Sequence, residues 1–177
     1  MIKDIIEDIK LAVDNKAYFS ALALTLTIPD ICGKIEYKNL NDKEKYIKWF
    51  NEWIYKYVEM PKSNDNWFEE YDKLAIFDGE VCYALRCSYL HSGNYELSEH
   101  GKCNIKINRF ELCISNNEWL LGDAHGCSIS NDTITEVHRR FNVENLIKYF
   151  ILGTEDYIEK CGDTSDKYAT INIIKFK

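Results

Sequence analysis

The chain has few residues that interrupt regular structure, with only two prolines and eight glycines among 177 residues. Its apolar runs all fall short of the roughly 18 residues that a membrane-spanning helix needs. The first residues alternate charged and aliphatic side chains, which is unlike the apolar core of a signal peptide. These absences argue against a fibrous, disordered or membrane-spanning chain. We therefore expect a single folded domain over residues 1–177, located in the cytoplasm.

Motifs for metal or phosphate binding are also scarce. The seven cysteines form no CxxC pair, and their odd number favours reduced thiols over a disulfide framework. No GxGxxG or GxxxxGK phosphate loop occurs, so we expect no bound cofactor. The formal net charge of −7 disfavours non-specific coating of nucleic acid, which relies on many lysine and arginine contacts. A small basic groove remains compatible with that charge.

The first half of the chain has the periodicity of a helical bundle, which we assign to residues 1–93. Apolar residues recur at three- and four-residue steps over Ile2–Val13, as an amphipathic helix requires. The next segment, Ala17–Ile35, is apolar on nearly all sides and predicts a buried helix. Within it, Pro29 predicts a kink or a restart one residue earlier, and Gly33 predicts the end of the helix.

Two further helices are predicted in this half. Asn41 and Asp42 are suitable caps for a third helix with an aromatic stripe, which is more typical of a core or a dimer interface than of a base-stacking platform. The stripe consists of Tyr46, Ile47, Trp49, Phe50, Trp53, Ile54 and Tyr57. Asp78 is a candidate N-cap for a fourth helix, which continues to Leu90 before Gly93 supplies a stop.

Residues 94–141 change to a period of two and predict a β-rich segment. Side chains alternate over 104–114, and Thr133–Phe141 predicts another strand, which together indicate an antiparallel hairpin or meander. Residues 142–177 predict a helix capped at its first residue and then a terminal strand over Tyr168–Phe176. The predicted fold class is helix-dominated α+β, a helical bundle with a small antiparallel sheet.

The fourth helix carries an arginine and a histidine, Arg86 and His91, with four residues between them. Arg86 has mostly apolar neighbours, and a guanidinium cannot lose its proton, so it needs a carboxylate or a phosphate beside it. Asp30 is the only ionised residue between Lys16 and Lys34 on the other apolar helix. We therefore predict a contact between Arg86 and Asp30.

His91 lies in the last turn of its helix, where the helix dipole favours an imidazolium and where an imidazole can exchange protons near neutral pH. On a regular helix five residues subtend about 500°, so the two side chains point roughly 140° apart. Both reach one site only if the Arg86 side chain bends along the helix or the last turn loosens. A symmetric dimer would also bring two such helix ends together.

This pair resembles the motif of the HEPN superfamily, an arginine followed after four to six residues by a histidine near the end of a bundle helix, often before a glycine such as Gly93. The resemblance implies a metal-independent endoribonuclease that acts as a homodimer. It implies that Arg86 holds the scissile phosphate of RNA while His91 transfers protons, leaving a 2′,3′-cyclic phosphate. It also implies a role in toxin–antitoxin, antiphage or RNA-processing systems, with an antitoxin or another partner protein. The family usually has Asn, Asp or His directly after the arginine, where this chain has Cys87.

Other roles for the same residues remain open. Arg86 could be a structural ion-pair residue and His91 a capping side chain, in which case the chain is a non-catalytic HEPN-like binding or interaction module. Cys87 and Ser88, four and three residues before His91, are supporting residues of the site. A thiol nucleophile at Cys87 is a weaker alternative, because no oxyanion-hole element or orienting carboxylate is recognisable in the sequence near it.

Two further clusters offer binding groups. His138, Arg139 and Arg140 form the densest basic cluster, which is more typical of a solvated strand end than of an RNA contact, and Arg139 and Arg140 are weak candidates for substrate binding. Five zinc-type ligands fall in the β-rich part, but without paired knuckles they favour buried thiols over a metal site. They are His100, Cys103, Cys113, His125 and Cys127.

Overall fold

The computed structural model describes residues 1–58, 76–92, 107, 109–114, 123–131 and 133–163. In this part of the chain a helical bundle carries a three-stranded mixed sheet, so the predicted helix-dominated α+β class is confirmed. Within the same residues, no helix is both long enough and apolar enough to cross a membrane. The predicted terminal strand over Tyr168–Phe176 lies outside the described residues, as does Gly93.

The helices are α1 (Ile2–Asp14), α2 (Tyr18–Glu36), α3 (Asp42–Trp53), α4 (Tyr55–Val58), α5 (Gly79–Cys87) and α6 (Val143–Cys161), and α5 continues into a π-helical turn at Ser88–Ser92. All five predicted helices are present, but the third, predicted to continue through Tyr57, is interrupted at Ile54 and forms both α3 and α4. The predicted caps are confirmed as well, because side-chain oxygens of Asn41, Asp78 and Asn142 accept hydrogen bonds from backbone N–H groups in the first turns of α3, α5 and α6.

Helix α2 runs without interruption through Pro29, so the predicted restart before this proline is wrong. Proline removes a backbone N–H and crowds the carbonyl group one turn earlier. Nearby carbonyl groups receive side-chain hydroxyls: Tyr46 donates to the Leu26 oxygen at 3.2 Å, and Thr27 donates to the Leu24 oxygen at 2.7 Å. Both hydroxyls go to carbonyl groups beside that of Thr25, which lies four residues before the proline, so they do not replace the backbone hydrogen bond that Pro29 removes.

Gly33 lies inside α2 and does not end it, which also corrects the prediction. A Cβ atom at Gly33 would lie only 2.7 Å from the backbone oxygen of Lys45 in α3. At the start of α5, a Cβ atom on Gly79 would lie 2.6 Å from the backbone oxygen of Ile47. The two glycines thus let α2 and α5 pack closely against the same helix.

The sheet has the strand order β1–β3–β2, with β1 at Arg109–Cys113, β2 at Ala124–Ser130 and β3 at Thr133–Asn142. Strands β2 and β3 form an antiparallel hairpin, which turns at Asn131 with a positive φ of 51°, but β2 is not one of the predicted strands. The two predicted strands, β1 and β3, pair in parallel, so their predicted antiparallel arrangement is wrong. The hairpin places β2 on the far side of β3, which leaves the other edge of β3 for β1.

The aromatic stripe of α3 belongs to the hydrophobic core and not to an exposed surface, since its four aromatic members inside α3 are buried. Phe50 packs edge-on against Phe150 of α6 at 5.5 Å between ring centroids. Phe77, just before α5, lies 4.6 Å from Phe141 of β3 by the same measure. The stripe therefore joins the bundle to the sheet, as the core interpretation predicts.

Candidate active site

The predicted contact between Arg86 and Asp30 is confirmed. Arg86 Nε donates to Asp30 Oδ2 at 2.9 Å, which links the end of α5 to the second half of α2. The side chains are 21% and 16% exposed, so the ion pair lies at the surface of the bundle and not sealed in the core. One edge of the guanidinium is therefore held by a carboxylate while solvent still reaches the side chain.

The surroundings of Arg86 act on its pKa in opposite directions. Burial lowers the pKa of the guanidinium, whereas the charge and hydrogen bond of Asp30, followed by an interaction with Cys87, raise it by more. The net effect is a pKa above the ordinary value for arginine. Arg86 therefore remains a cation at any pH at which the protein is folded.

Arg86 also contacts the exposed histidine at the end of the same helix. Its Nη1 atom lies 3.0 Å from Nε2 of His91. Because a guanidinium has no acceptor, a hydrogen bond across this contact requires the lone pair of Nε2, with the imidazole hydrogen on Nδ1. Asp30, Arg86 and His91 thus form one continuous chain of polar contacts.

The last turn of the helix explains how two side chains five residues apart meet. Residues Ser88–Ser92 form a π-helical turn, in which hydrogen bonds join residues five apart instead of four. This wider turn brings the side chain of His91 back toward that of Arg86. It is the loosened last turn that we expected to be necessary for the two side chains to meet. Tyr89 fastens the turn to the start of α2, where its hydroxyl donates to the Phe19 oxygen at 3.1 Å.

The supporting residues Cys87 and Ser88 differ in accessibility. Ser88 is buried, with 1% of its surface exposed, so it is not positioned to attack a substrate. Cys87 is half-buried and interacts with both Arg86 and Tyr83. Since Nε2 of His91 faces Arg86, the structure favours the arginine–histidine pair over a cysteine–histidine pair.

Two residues near the site were missed by the sequence analysis. Tyr83 lies one helical turn before Arg86, and its ring packs edge-on against the buried Tyr46 with 5.3 Å between centroids. Lys43, at the start of α3, places its Nζ atom 6.0 Å from the centroid of the Tyr83 ring. The three-residue spacing of Tyr83 and Arg86 on one helix was the signal that could have identified the tyrosine.

The basic cluster of β3 does not form one surface. Arg139 points into the core and is 2% exposed, with its guanidinium 4.5 Å from the Phe141 ring centroid and its Nη2 donating to the Val58 oxygen. Arg140 points outward and contacts Glu111 through Nε at 2.9 Å and Nη2 at 2.7 Å. The buried position of Arg139 corrects its assignment as a substrate-binding residue, because RNA cannot reach it in this conformation.

The proposed zinc ligands are only partly covered by the described residues, since His100 and Cys103 lie outside them. Where the chain is described, no group of three or more histidine, cysteine or acidic side chains is arranged to hold a metal ion. Cys113 and Cys127 are free thiols on β1 and β2, the two strands that flank β3.

Comparisons with known proteins give no match to this chain among protein families, curated proteins or solved structures.

Proposed function

We propose that the chain is a HEPN-like, metal-independent endoribonuclease in which Arg86 binds the scissile phosphate and His91 transfers protons. The contact between Arg86 Nη1 and His91 Nε2 at 3.0 Å, on a partly solvent-exposed helix end, is the observation that supports this proposal most. It supports the proposal because it brings a guanidinium and an imidazole close enough to act on one phosphodiester.

The guanidinium has the right geometry to share its donors. Asp30 engages Nε, which orients the planar group and leaves the Nη atoms for a second partner. A phosphate that enters the site would accept hydrogen bonds from these Nη atoms in place of His91. Asp30 acts here as a positioning residue, because it touches Arg86 and not the substrate.

The direction of Nε2 in His91, which faces Arg86, fits the first chemical step. Once Arg86 turns to the phosphate, Nε2 can accept the proton of the ribose 2′-hydroxyl as the 2′-oxygen attacks phosphorus. The bond from phosphorus to the 5′-oxygen then breaks, and the imidazolium returns a proton to that oxygen. The products are a 2′,3′-cyclic phosphate and a 5′-hydroxyl end.

The biological setting in this proposal follows from the family resemblance. The chain would act as a cytoplasmic homodimer in a toxin–antitoxin, antiphage or RNA-processing system, under the control of an antitoxin or another partner protein. A reducing compartment agrees with the cysteines of the described residues, which are all free thiols. In a symmetric dimer, two helix ends would contribute their side chains to one cleft.

A second candidate is a non-catalytic HEPN-like binding or interaction module. The observation that favours it is that Arg86 satisfies both Asp30 and His91 within the chain, as a structural network at a helix end would. In that case the same residues fix the end of α5 for a partner protein and transfer no proton.

Incubation of the purified protein with total RNA in EDTA distinguishes the two. The ribonuclease produces fragments with 2′,3′-cyclic phosphate and 5′-hydroxyl ends, and both Arg86→Ala and His91→Ala abolish them while circular dichroism and dimerisation stay unchanged. His138→Ala is the matched control. This histidine lies on the sheet beside Glu136, so the variant should cleave RNA at the wild-type rate. If the wild-type protein leaves every RNA intact, the enzyme proposal is wrong and the interaction module takes its place.

A further inference from the structure

The contact between Arg86 and His91 occupies a donor that an anion would use. Arg86 Nη1 lies 3.0 Å from His91 Nε2, while Nε of the same guanidinium donates to Asp30 Oδ2 at 2.9 Å. Two sides of the guanidinium are thus engaged within the chain. An anion that approaches the exposed part of Arg86 must compete with His91 for Nη1.

The contact also depends on the protonation of His91. Every N–H group of a guanidinium is a donor, so a hydrogen bond across this contact requires the lone pair of Nε2. A proton on Nε2 removes that lone pair and produces an imidazolium, whose positive charge repels the guanidinium. Protonation therefore breaks the contact and leaves two neighbouring cations, which an anion between them stabilises.

The imidazole can turn away from Arg86 without a change in the fold. His91 is exposed, so rotation of its side chain leads into solvent. The backbone of the π-helical turn stays in place, because the Tyr89 hydroxyl donates to the Phe19 oxygen at 3.1 Å. Rotation of one side chain is thus sufficient to uncover Arg86 Nη1.

The charges on the neighbouring helices favour an anion only when His91 is protonated. On α2, the carboxylate of Asp30 offsets the charge of Arg86. On α3, burial raises the pKa of the Tyr46 hydroxyl, which stays neutral. The cation that α3 contributes in this region is Lys43, whose Nζ atom lies 6.0 Å from the centroid of the Tyr83 ring. Because guanidinium and carboxylate offset each other, an imidazolium supplies the net positive charge of the pair.

The stretch that carries the pair, Tyr83–Ser92, contains three other titratable side chains. Burial raises the pKa of Tyr83 and of Tyr89, so both hydroxyls stay neutral near neutral pH. The third is Cys87, which interacts with Arg86 and Tyr83. A test of His91 therefore needs a control variant that lacks this thiol.

We propose that Arg86 and His91 form a proton-gated site for a tetrahedral oxyanion, closed by their mutual contact when His91 is neutral and opened when His91 takes up a proton. In the open form the anion accepts hydrogen bonds from Arg86 Nη1 and from the imidazolium, while Asp30 holds the guanidinium in place. The gate goes beyond the proposed ribonuclease, because it involves no ribose and no bond cleavage.

Sulfate is a suitable probe, because unlike phosphate it keeps one charge state across the pH range in which imidazoles ordinarily titrate. NMR spectroscopy of the isotopically labelled protein follows the backbone amide signals of Ser88–Ser92 during sulfate titrations from about pH 5.5 to about pH 8. Ionic strength is kept constant with chloride. Uptake of one proton with each anion should raise the dissociation constant about tenfold per pH unit where His91 is neutral in the unbound protein.

The variant His91→Ala separates the two effects of the histidine, since it removes the competitor for Nη1 and the added positive charge together. Its affinity for sulfate should not change with pH. It should bind more tightly than wild type at the alkaline end and more weakly at the acidic end, so that the two curves cross. His138→Ala, on the sheet, and Cys87→Ser should keep the wild-type curve. Circular dichroism shows whether each variant is folded.

The outcomes for the gate do not depend on RNA cleavage. A wild-type dissociation constant that stays constant with pH, a pH dependence that persists in His91→Ala, or no sulfate binding at any pH overturns the gate, even in a protein that cleaves RNA. Crossing curves in a protein that leaves RNA intact support the gate and overturn the nuclease. If both hold, acidification should lower KM for RNA and also lower kcat, because a protonated His91 cannot accept the proton of the 2′-hydroxyl.

Discussion

Two arginines in apolar surroundings, Arg86 and Arg139, occupy opposite kinds of environment. Arg86 is 21% exposed at a helix end, where it contacts a carboxylate and a histidine. Arg139 is 2% exposed inside the core, where its guanidinium lies over Phe141 and donates to a backbone carbonyl of α4. A charge among hydrophobic residues can thus be a component of a site or a part of the packing, and access to solvent separates the two.

The difference follows from secondary structure. Strand residues alternate between two faces, so Arg139 falls on the buried face together with Val137 and Phe141, while Arg140 falls on the outer face. A long side chain on a helix end can instead bend along the helix surface and keep its head near water. Arg86 lies at such a helix end and keeps 21% of its side chain exposed, so solvent reaches it but not Arg139.

The largest effect is expected from Arg86→Lys. Lysine keeps the charge but lacks the planar fork, so it cannot contact Asp30 and a phosphate together in the same geometry. We expect kcat/KM for RNA cleavage to fall by at least about 100-fold, within the range that transition-state charge stabilisation supplies. Arg139→Lys should leave the cleavage rate per folded molecule unchanged. Near-wild-type kinetics for Arg86→Lys would show that the fork is unnecessary.

Replacement of Arg139 should act on stability instead. Arg139→Ala leaves a cavity under Phe141 and removes a donor from the Val58 carbonyl, so we expect a loss of about 2–4 kcal/mol in the free energy of unfolding. Arg139→Met fills most of the space and should cost less. Urea unfolding measures both. A stable Arg139→Ala variant with reduced RNA cleavage would reverse the roles given to the two arginines.

Asp30→Asn tests the carboxylate that distinguishes the two environments. The amide keeps the shape but not the charge, so Arg86 loses an ion pair that is only partly shielded from solvent. We expect a loss of about 1–2 kcal/mol in unfolding free energy and a decrease of about tenfold in kcat, since the guanidinium is less well oriented. A change in KM alone would argue that Asp30 does not position Arg86 for the chemical step.

The smallest effect is expected from Arg140→Gln, next to Arg139 in sequence. Its ion pair with Glu111 is open to solvent, with the Arg140 side chain 45% exposed. Exposed pairs contribute little, so the unfolding free energy should change by less than about 0.5 kcal/mol, and any change should vanish in high salt. A loss as large as that for Arg139→Ala would mean that depth of burial does not separate these arginines.

Much of the bundle could be predicted from the sequence, because helix caps and three- to four-residue periodicity are local signals. Asn41, Asp78 and Asn142 each marked a helix start correctly. Pro29 was misleading, because α2 continues through it although a proline removes one backbone hydrogen bond. Strand β2 was not predicted, because most of its residues are exposed and show no clear alternation.

In the site, too, some features could be predicted from nearby residues in the sequence, whereas others depend on how distant elements pack together. Charge balance alone predicted that Asp30 would meet Arg86, because Arg86 has mostly apolar neighbours and Asp30 is the only ionised residue between Lys16 and Lys34. The position of Lys43 could not be predicted, since it depends on how closely α3 packs against α5. The burial of Arg139 had a local signal that the sequence analysis did not use, because Val137 and Phe141 lie two residues to either side of it on the same face of β3.

The π-helical turn at Ser88–Ser92 affects how arginine–histidine motifs with different spacings should be aligned. Deleting one residue there would let an ordinary α-helical turn close and would leave the histidine four positions after the arginine, where side chains also face each other. An insertion can therefore be absorbed by the backbone while the two functional groups keep their contact. Proteins that differ by a residue in this interval can share one geometry, so alignments should match the ends of the interval and tolerate a gap inside it.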